Sequence, residues 1–529
     1  MHKQDRSWRL GDVLPYAAAA FGDKTALVTP EGSFSFRALD RISNQVANGL
    51  RALGVEAGDR VTLYGSNCWE WVVSYYGILK TGAVVNPINV MLTPEEVVHV
   101  ANDCGARVII ASADKGAALI AVRGRTPVEH IVLFGGEAPA DALPFSRLLD
   151  GAAEFAPVAA DPDSTSTIGY TSGTTGHPKG ARTSHRNVLT STAMTACMHG
   201  RDERDVVVSA LPCSHVYGNV VMNAAMWYGM TLVLLPKFSE TGVLEAIERH
   251  RATMFEGVPT MYMYLLAWPE RSRYDLSSLT RCTVGGQTMP VAKMQAVEAE
   301  FGCPLLELWG MTELAGPATT HALRGQRHHG SIGVPLPGVE CRIADPADPA
   351  RTRPYGEVGE LMVRGPIVMQ GYFGNDEATR ATIEPDGWLH SGDLARMEAD
   401  GCIYLVDRMK DMIITGGFNI YPAEIERALS AHPDVALVAV GPRSDALKGE
   451  IAKAYVVRKP GATVTESELL QFARIHLAAY KVPRELMFVG DLPKTSSGKI
   501  MRRELRRLDE PGAATTITAT LPDALPTKT

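Results

Sequence analysis

The chain has 529 residues, more than one hydrophobic core usually organises, and about 150 residues per domain would give about three structural units. Hydrophobic residues make up 45% and charged residues 21%, a globular composition that argues against disorder and collagen-like structure. Lys and Arg number 52 and Asp and Glu 59, and the net charge of −7 gives no basic excess for binding nucleic acid.

The eight cysteines are widely spaced, and no two form the C-x-x-C pattern of a zinc or redox site. This usage predicts buried thiols in a reducing compartment, and we expect a cytoplasmic protein. The first seven residues are polar and lack the apolar core of a signal peptide.

An uncharged stretch from 206 to 236 is long enough to cross a membrane. Pro212, polar residues such as His215 and Asn219, and Gly229 interrupt it. We interpret it as buried core, with a helix and a strand separated by Gly229, and membrane contact is the alternative. No transmembrane segment is predicted.

The first elements alternate between helix and strand. They are a helix at 39–53, a strand at 61–65, a helix at 94–103 and a strand at 107–111. Gly54 is placed to end the first helix. Thr93 and Glu96 have the spacing of a capping box, with Pro94 at the first helical position. Strands separated by helices indicate parallel βαβ units.

The sequence pattern differs at 401–417. A strand at 403–406 is followed by the charged turn D-R-M-K-D and then by a glycine pair. The spacing leaves two interpretations open, a hinge between domains and a plain hairpin. A compact α+β pattern follows, with a helix at 422–429, strands at 435–441 and 451–458, and a helix capped by Thr465 and Glu468. The tail from 510 is rich in Pro, Ala and Thr and is predicted to be disordered.

The clearest chemical signal is Y-T-S-G-T-T-G-H-P-K-G at 170–180. Its glycines let the backbone approach a polyphosphate, and successive N–H groups can form an anion nest. Four hydroxyl side chains add donors, and Lys179 adds a positive charge. Because Gly180 follows Lys179, the stretch is not a Walker A loop.

This loop resembles the phosphate loop of the adenylate-forming superfamily, which includes acyl-CoA synthetases, luciferases and peptide-synthetase adenylation domains. Further motifs follow in the family's order: L-P-C-S-H (211–215), V-P-T-M-Y (258–262), G-G-Q-T-M-P (285–290), W-G-M-T-E (309–313), H-S-G-D-L (390–394), D-R-M-K-D (407–411), G-G-F-N-I-Y-P-A-E-I-E (416–426) and P-K-T-S-S-G-K-I (493–500). The resemblance covers about residues 20 to 507.

The resemblance implies an α/β fold with a large N-terminal domain of α/β lobes and a small distorted β-barrel, plus a mobile α+β C-terminal domain. We predict an N-terminal AMP-binding domain at 1–407, a hinge at 408–411, a swinging domain at 412–509 and a disordered tail at 510–529.

The resemblance also implies the nucleotide site. The residues expected to bind ATP and AMP are Thr171, Ser172, Gly173, Thr174, Thr175, Gly176, Lys179, Gly286, Gln287, Trp309, Gly310, Met311, Thr312, Asp393 and Arg408. Trp309 stands where relatives usually carry a Tyr beside adenine, and a core tryptophan is the alternative. Asp393 suits the ribose diol, and Arg408 is expected to contact ribose or phosphate.

Three residues are predicted to be catalytic by resemblance. Lys499 is the adenylation lysine, which stabilises developing negative charge. Glu313, with Thr171, is expected to hold Mg²⁺, which prefers oxygen ligands. His215 is expected to gate the carboxylate, although a hydrogen-bonded core histidine is the alternative.

Other segments are assigned to rotation and to coenzyme A. Lys410 is the predicted hinge residue, and Gly416, Gly417 and Phe418 are predicted to lie at the coenzyme A site. Four late arginines, Arg502, Arg503, Arg506 and Arg507, are interpreted as a solvated helix face, the alternative being attraction for the phosphates of coenzyme A.

The predicted acyl pocket contains His215, Val216, Asn219, Gly257 and Gly310. Amino-acid-activating relatives carry an Asp where Val216 stands, which argues against an amino-acid substrate. The largely small or neutral lining predicts an apolar acid, first a medium- or long-chain fatty acid and second an aryl acid of the benzoate or cinnamate type. Ile414 stands where aryl-type relatives carry a Lys.

The implied reaction has two steps, formation of acyl-AMP and pyrophosphate from ATP, then transfer of the acyl group to coenzyme A. ATP, Mg²⁺ and coenzyme A are the predicted cofactors, a small carboxylic acid is the partner, and a monomer or homodimer is expected. An acyl-AMP ligase that loads a carrier protein is the alternative enzyme. Intact Glu313, Asp393, Arg408 and Lys499 argue against a non-catalytic binding module.

Overall fold

A computed structural model describes residues 9–171, 178–415, 418–445, 449–496 and 498–509, with only the backbone described at 418, 419 and 449. Its α-helices are α1 Val13–Phe21, α2 Phe36–Ala52, α3 Trp69–Lys80, α4 Pro94–Cys104, α5 Gly116–Val122, α6 His185–Met198, α7 Val216–Tyr228, α8 Glu240–His250, α9 Pro259–Ala267, α10 Val291–Phe301, α11 Asp376–Thr382, α12 Pro422–Ser430 and α13 Glu466–His476. Its 3₁₀ helices are Leu10–Asp12, Ala113–Lys115, Arg123–Arg125, Phe145–Leu148, Arg271–Arg273, Thr312–Leu314, Met409–Asp411 and Arg502–Asp509.

The strands are numbered in chain order. They are β1 Thr25–Thr29, β2 Gly32–Ser35, β3 Arg60–Tyr64, β4 Val84–Pro87, β5 Ala106–Ser112, β6 His130–Phe134, β7 Leu143–Pro144, β8 Thr165–Thr171, β9 Lys179–Ser184, β10 Val206–Ser209, β11 Thr231–Leu234, β12 Met254–Gly257, β13 Arg281–Gly285, β14 Leu305–Met311, β15 Gly316–Thr320, β16 Val334–Pro335, β17 Glu340–Asp345, β18 Asp348–Thr352, β19 Gly359–Arg364, β20 Gly371–Tyr372, β21 Leu389–Met397, β22 Ile403–Arg408, β23 Ile413–Thr415, β24 Phe418–Ile420, β25 Val435–Asp445, β26 Gly449–Arg458 and β27 Glu485–Phe488.

Two large sheets dominate the N-terminal part. One has nine strands in the order β16-β15-β14-β13-β12-β10-β11-β1-β2, and the other has eight in the order β20-β9-β8-β4-β3-β5-β6-β7. The inner strands of both sheets are mostly parallel, as the alternation of helices and strands predicted. The largest buried core draws on both sheets and the helices around them, and includes Trp71, Phe255 and Tyr262.

Two smaller sheets complete the fold. The antiparallel sheet β18-β17-β19-β21-β22 stands where a small distorted β-barrel was expected. The C-terminal part has the order β24-β23-β26-β25, with β27 beside β26, and a core of its own that includes Ile413, Ile425 and Val440. The prediction of an α/β protein with a large N-terminal and a small α+β C-terminal domain is therefore confirmed.

Local sequence patterns correctly predicted where several helices begin or end. Both predicted capping boxes form, with Thr93 and Glu96 starting α4 and Thr465 and Glu468 starting α13. Helix α2 ends within two residues of Gly54, whose φ is +83°. These contacts lie within one helical turn, which is why short-range spacing was sufficient to predict them.

The uncharged stretch is buried core. Helix α7 ends at Gly229, which adopts the left-handed conformation with φ +71°, and β11 follows inside the nine-stranded sheet. Within the described ranges, no helix is long and apolar enough to cross a membrane. The cysteines are free thiols, but Cys197 is exposed and Cys68 and Cys341 are only half-buried, so the prediction of buried thiols holds for the other five.

The junction between the two domains is not a hairpin. Strand β22 pairs with β21, whereas β23, only a short 3₁₀ turn later, pairs with β24 and β26 in another sheet. The 3₁₀ turn Met409–Asp411 thus carries the chain from one sheet to the next. This arrangement favours the hinge interpretation, while rotation about the turn remains a prediction.

Candidate active site

The predicted phosphate loop joins the antiparallel strands β8 and β9, with Thr171 directly opposite Lys179. Ser172, Gly173, Thr174, Thr175 and Gly176 lie outside the described residues, and so do Gly416 and Gly417 of the predicted coenzyme A site; Phe418 is described only as backbone in β24. Thr171 and Lys179 are paired across the two strands and flank the predicted loop, and Thr171 lies next to the buried carboxylate of Glu313.

Glu313 is the carboxylate at the phosphate end of the site. It lies in the 3₁₀ turn Thr312–Leu314 directly after β14 and is 6% exposed. Thr171 Oγ1 lies 3.4 Å from Glu313 Oε1, and the Tyr372 hydroxyl donates to the same oxygen at 2.9 Å. The Lys179 ammonium lies 5.3 Å from the centre of the Tyr372 ring. The structure therefore brings together two predicted loop residues and the predicted metal ligand.

The sequence analysis did not predict that Tyr372 belongs to the site. Burial, and then the charge of Glu313, raise the pKa of its hydroxyl, which therefore stays protonated and can donate. Its only sequence signal is a Tyr in the short G-Y-F segment at 371–373. Strand β20 pairs there with β9, and this long-range pairing brings Tyr372 to the site.

The predicted ribose end lies on a second pair of strands. Asp393 on β21 and Arg408 on β22 are directly opposite each other, with Arg408 Nε 3.3 Å from Asp393 Oδ1. The Trp309 indole donates to Asp393 Oδ2 at 2.8 Å. Burial raises the pKa of the Asp393 carboxyl, and the charge of Arg408 and the indole bond oppose that rise. These two contacts orient the carboxylate.

Trp309 lies in a buried cluster and is only 7% exposed. This burial favours the core interpretation, with an added role in positioning Asp393. A contact with adenine remains a prediction. Gly310 and Met311 follow on the last residues of β14 and are half-buried, and Gln287 is half-buried in the turn after β13.

Lys499 of the C-terminal domain passes over Gly286 of the N-terminal domain. A Cβ at Gly286 would lie 2.8 Å from Lys499 Cε, and the φ of +91° at this glycine also disfavours a side chain. The neighbouring Gly498 carbonyl accepts a hydrogen bond of 2.8 Å from Thr260 Oγ1 on α9. The motifs G-G-Q-T-M-P, V-P-T-M-Y and P-K-T-S-S-G-K therefore meet at one place.

Desolvation lowers the pKa of Lys499 to about 8, helped by the charge of Arg408, while Asp393 and Glu313 act in the opposite direction. The ordinary value for lysine is about 10.4. The ammonium is therefore charged below about pH 8 and neutral above it. Asp393, Glu313 and Arg408 act on one ammonium group, which places Lys499 between the two halves of the predicted nucleotide site.

We expect adenylation to fall as the pH rises through about 8, because the free enzyme then loses the positive charge of Lys499. The kcat/KM for ATP in acid-dependent pyrophosphate exchange reports the free enzyme and is the measurement to make. Lys499→Arg should remove this alkaline loss, although at a lower rate, because a guanidinium stays charged. If kcat/KM fell in the same way at alkaline pH in both proteins, the loss would not come from Lys499.

His215 is the N-cap of α7, where its Nδ1 accepts the Tyr217 N–H at 3.2 Å. Burial, and then the charge of Lys499, lower its pKa to about 3, so the ring is neutral. With Nδ1 accepting, the proton of the neutral ring is on Nε2, which is left to donate. His215 is thus placed as a hydrogen-bond donor rather than as an acid.

His215 lines a cleft of about 730 Å³, a volume that includes its open mouth. Val216, Asn219 and Thr312 line the same cleft, as does Ser496 from the C-terminal domain. The predicted pocket residues on α7 are therefore brought together next to the site of Lys499.

The two predicted pocket glycines are placed differently and do not line this cleft. A Cβ at Gly257 would face the rings of Tyr262 and Phe255 at 3.1 and 3.2 Å. A Cβ at Gly310 would lie 2.1 Å from the Gly316 carbonyl oxygen. Both positions are small because protein packs against them, so the sequence prediction of an acyl contact there is not supported by this geometry.

Arg502 corrects the interpretation of the late arginines. It neither faces solvent nor lies free for phosphates, because it pairs with Asp407, Asp411 and Glu426 at 2.9, 3.1 and 2.6 Å. Asp407 also accepts the Ala423 N–H in the first turn of α12 at 2.7 Å. Arg503 and Arg507 are exposed, as predicted. The predicted hinge residue Lys410 is exposed beside this ion cluster.

Comparison with known families now identifies the chain. The family model for AMP-binding enzymes matches residues 14–373, and the model for the AMP-binding enzyme C-terminal domain matches residues 424–499. The chain belongs to the AMP-binding enzyme family. This agrees with the resemblance to the adenylate-forming superfamily that the motifs indicated.

Similar proteins and structures include CoA ligases that are named for different acid substrates. A long-chain-fatty-acid–CoA ligase of Bacillus subtilis is 36% identical over 94% of this chain and 94% of its own length. A feruloyl-CoA synthase of an Amycolatopsis species is 38% identical over 95% and 98%. The crystal structure of an anthranilate CoA ligase in complex with anthranoyl-AMP matches with a TM-score of 0.89 and 31% identity, over 94% and 97%. This AMP-binding enzyme is an acid–thiol ligase that forms acyl-CoA from ATP, an acid and coenzyme A.

Proposed function

We propose that this enzyme activates a predominantly apolar carboxylic acid as its acyl-adenylate and transfers the acyl group to coenzyme A. The observation that carries the proposal is the position of Lys499. Its side chain reaches from the C-terminal domain across Gly286, and its ammonium interacts electrostatically with Asp393 and Glu313. That arrangement supports the proposal, because the residues predicted for the phosphate, the ribose and the acyl group all lie near one ammonium.

In the first step, an oxygen of the carboxylate attacks the α-phosphorus of ATP, the bond to the β-phosphate breaks, and pyrophosphate leaves. Lys499 stabilises the negative charge that develops between the carboxylate and the α-phosphate. His215 donates from Nε2 to the carboxylate side and holds it in line. Little covalent help from the protein is needed, since positioning and neutralisation of charge supply most of the rate.

The donor set at Glu313 fits Mg²⁺. A buried carboxylate and the Thr171 hydroxyl converge there, and hard oxygen ligands are those that Mg²⁺ prefers. When bound, the ion would neutralise phosphate charge. Tyr372 keeps the carboxylate in place by its hydrogen bond of 2.9 Å.

In the second step, we propose that the C-terminal domain rotates about Lys410 and withdraws Lys499. The sulfur of coenzyme A then attacks the acyl carbonyl, loses its proton, and expels AMP. The loop 416–419 is predicted to enter the site when Lys499 leaves. This rotation, the predicted domain boundaries, the monomer or homodimer and the cytoplasmic location remain predictions.

The class of the acid substrate is inferred from the residues that line the cleft. Val216 offers no carboxylate to pair an ammonium, and the side chain at Asn219 is neutral, so a mainly apolar acid is favoured over an amino acid. A medium- or long-chain fatty acid is the first candidate, as for the Bacillus subtilis ligase. An aryl acid is the second, since ligases for feruloyl, anthranilate and benzoate groups share the fold or sequence.

The function is tested with the purified enzyme, ATP, Mg²⁺ and a panel of fatty and aryl acids. We expect release of AMP over many turnovers only when coenzyme A is present, together with acid-dependent pyrophosphate exchange in its absence. Turnover with an acyl carrier protein but none with coenzyme A would support the carrier-loading alternative instead.

Tyr372→Phe should weaken the response of adenylation to Mg²⁺. Groups that orient a metal ligand typically change metal affinity or activity by about 10- to 100-fold when they are removed. We therefore expect the Mg²⁺ concentration for half-maximal pyrophosphate exchange to rise by about tenfold or more. Tyr404→Phe, at a ring that packs on Arg396, is the matched control. An unchanged Mg²⁺ dependence would argue against the role of Tyr372.

A further inference from the structure

Helix α9 begins directly beside the turn that carries Lys499. The Thr260 hydroxyl, in the first turn of α9, donates to the Gly498 carbonyl at 2.8 Å, and Thr260 is 2% exposed. Thr260 belongs to the N-terminal domain and Gly498 to the C-terminal domain. This hydrogen bond therefore crosses the domain interface one residue before Lys499, at the backbone from which that side chain extends.

The N-terminal side of this contact is firmly anchored. The hydroxyl of the fully buried Tyr262, two residues after Thr260, lies 3.1 Å from the Phe255 carbonyl oxygen and 2.7 Å from the Thr283 carbonyl oxygen. These contacts attach α9 to strands β12 and β13 of the nine-stranded sheet. Groups held on helices and strands are positioned more precisely than groups on loops. Thr260 therefore presents its hydroxyl from a fixed base.

The C-terminal side of the contact is a short turn with hydrogen bonds of its own. The Thr495 N–H donates to the Lys499 carbonyl at 2.8 Å, and the Lys499 N–H donates to Thr495 Oγ1 at 3.1 Å. The Gly498 N–H donates to the Thr495 carbonyl at 2.9 Å. Lys494 and Ile500 pair in the antiparallel manner just outside these bonds. A displacement of the Gly498 carbonyl would therefore move the Lys499 backbone with it.

The two sides approach closely at Val258 and two glycines. A Cβ at Gly498 would lie 2.9 Å from Thr260 Oγ1 and 3.0 Å from Val258 Cγ2, and the φ of +82° there also favours glycine. A Cβ at Gly286 would lie 3.5 Å from Val258 Cγ1 and 2.8 Å from Lys499 Cε. Val258, directly before α9, thus lies against both glycine positions, and the Lys499 side chain crosses one of them.

We propose that Thr260 is a positioning residue for adenylation, which holds the Gly498 carbonyl and thereby fixes Lys499 in its place over Gly286. The inference rests on the proposed function, because it assigns Thr260 to the adenylation step alone. Thr260 acts through Lys499 and is assigned no contact with ATP or the acid. In the proposed rotation the Gly498 carbonyl leaves together with Lys499, so this hydrogen bond would be absent when coenzyme A reacts.

Thr260→Val removes the hydroxyl and keeps the shape of the side chain. We expect kcat for acid-dependent pyrophosphate exchange to fall about tenfold, because the Gly498 carbonyl loses its donor and the lysine can shift. The KM for ATP should change little, since Lys499 acts on charge that develops in the transition state. Conversion of supplied acyl-AMP with coenzyme A should be unchanged, which a general loss of folded enzyme would not allow. Thr260→Ser keeps the donor and should restore most of the exchange.

A double-mutant cycle tests whether Thr260 acts through Lys499. If it does, adding Thr260→Val to Lys499→Ala should lower exchange by less than about twofold further, because the group that is positioned has already been removed. A further loss of about tenfold in the Lys499→Ala background would show an independent structural role and overturn the proposal. If Thr260→Val does not fold, Thr260→Ala takes its place in the cycle with the same expected outcomes.

Tyr264→Phe is the matched control on the same helix. The Tyr264 hydroxyl also crosses the domain interface, donating to Asp491 Oδ1 at 3.1 Å from one helical turn after Thr260. Asp491 would keep its ion pair with Lys494. We expect exchange by Tyr264→Phe to stay within about threefold of normal, the effect of one ordinary hydrogen bond. An equal loss in Tyr264→Phe and Thr260→Val would mean that Thr260 only holds the domains together, and would overturn the proposal.

The unmodified enzyme separates the two levels of inference. Absence of acid-dependent pyrophosphate exchange with every acid of the panel overturns the proposed function, and the inference with it. Exchange by the unmodified enzyme together with unchanged exchange by Thr260→Val overturns only the positioning by Thr260.

Discussion

Lys499→Ala should lower acid-dependent pyrophosphate exchange by about 100- to 1,000-fold, the loss typical when one preorganised charge-stabilising group is removed. The reason is geometric, because Lys499 crosses Gly286 and is the C-terminal charge that acts among Asp393, Arg408 and Glu313. Thioester formation from supplied acyl-AMP should continue at near its normal rate, since Lys499 has no role in that step.

The two half-reactions of Lys499→Ala are measured separately, by pyrophosphate exchange and by conversion of synthetic acyl-AMP with coenzyme A. Arg503→Ala is the matched control, since it removes an exposed cation only four residues later. Equal loss of both half-reactions in Lys499→Ala would show that the lysine is not specific to adenylation.

Lys410→Pro should separate the half-reactions in the opposite way. Proline fixes φ near about −65°, a value that suits the 3₁₀ turn Met409–Asp411 but opposes rotation of the backbone there. Adenylation should therefore continue, while thioester formation should fall by roughly 100-fold, the loss that misplacement of reacting groups can cause.

Lys410→Ala is the control for the hinge, because Lys410 is exposed and its side chain can be removed without loss of buried contacts. Both half-reactions should then remain. Normal overall turnover of Lys410→Pro would refute rotation at this residue.

Short-range patterns predicted much of the fold. The capping boxes at Thr93 and Thr465 and the helix end at Gly229 depend on contacts within a few residues, and the structure has all three. The family motifs added the order of the site segments. Lys499 and Gly286 are far apart in sequence and lie against each other in the structure.

What the sequence could not supply were contacts made through the tertiary fold. Arg502 was interpreted as a solvated or phosphate-binding arginine, since Asp407 and Glu426 are 95 and 76 residues away. The hydrogen bond from the Trp309 indole to Asp393 depends on packing between two sheets, and the expected contact of Trp309 with adenine stays a prediction.

The ion cluster at the hinge bears on the timing of catalysis. The Asp407 side chain is 1% exposed and belongs to the N-terminal side, whereas its partners Arg502 and the Ala423 N–H belong to the C-terminal side. The proposed rotation would separate them, and a buried carboxylate left without partners is costly. We therefore expect the resting enzyme to dwell in the orientation that receives ATP and acid. The order of the two half-reactions would then be built into the resting state, before coenzyme A arrives.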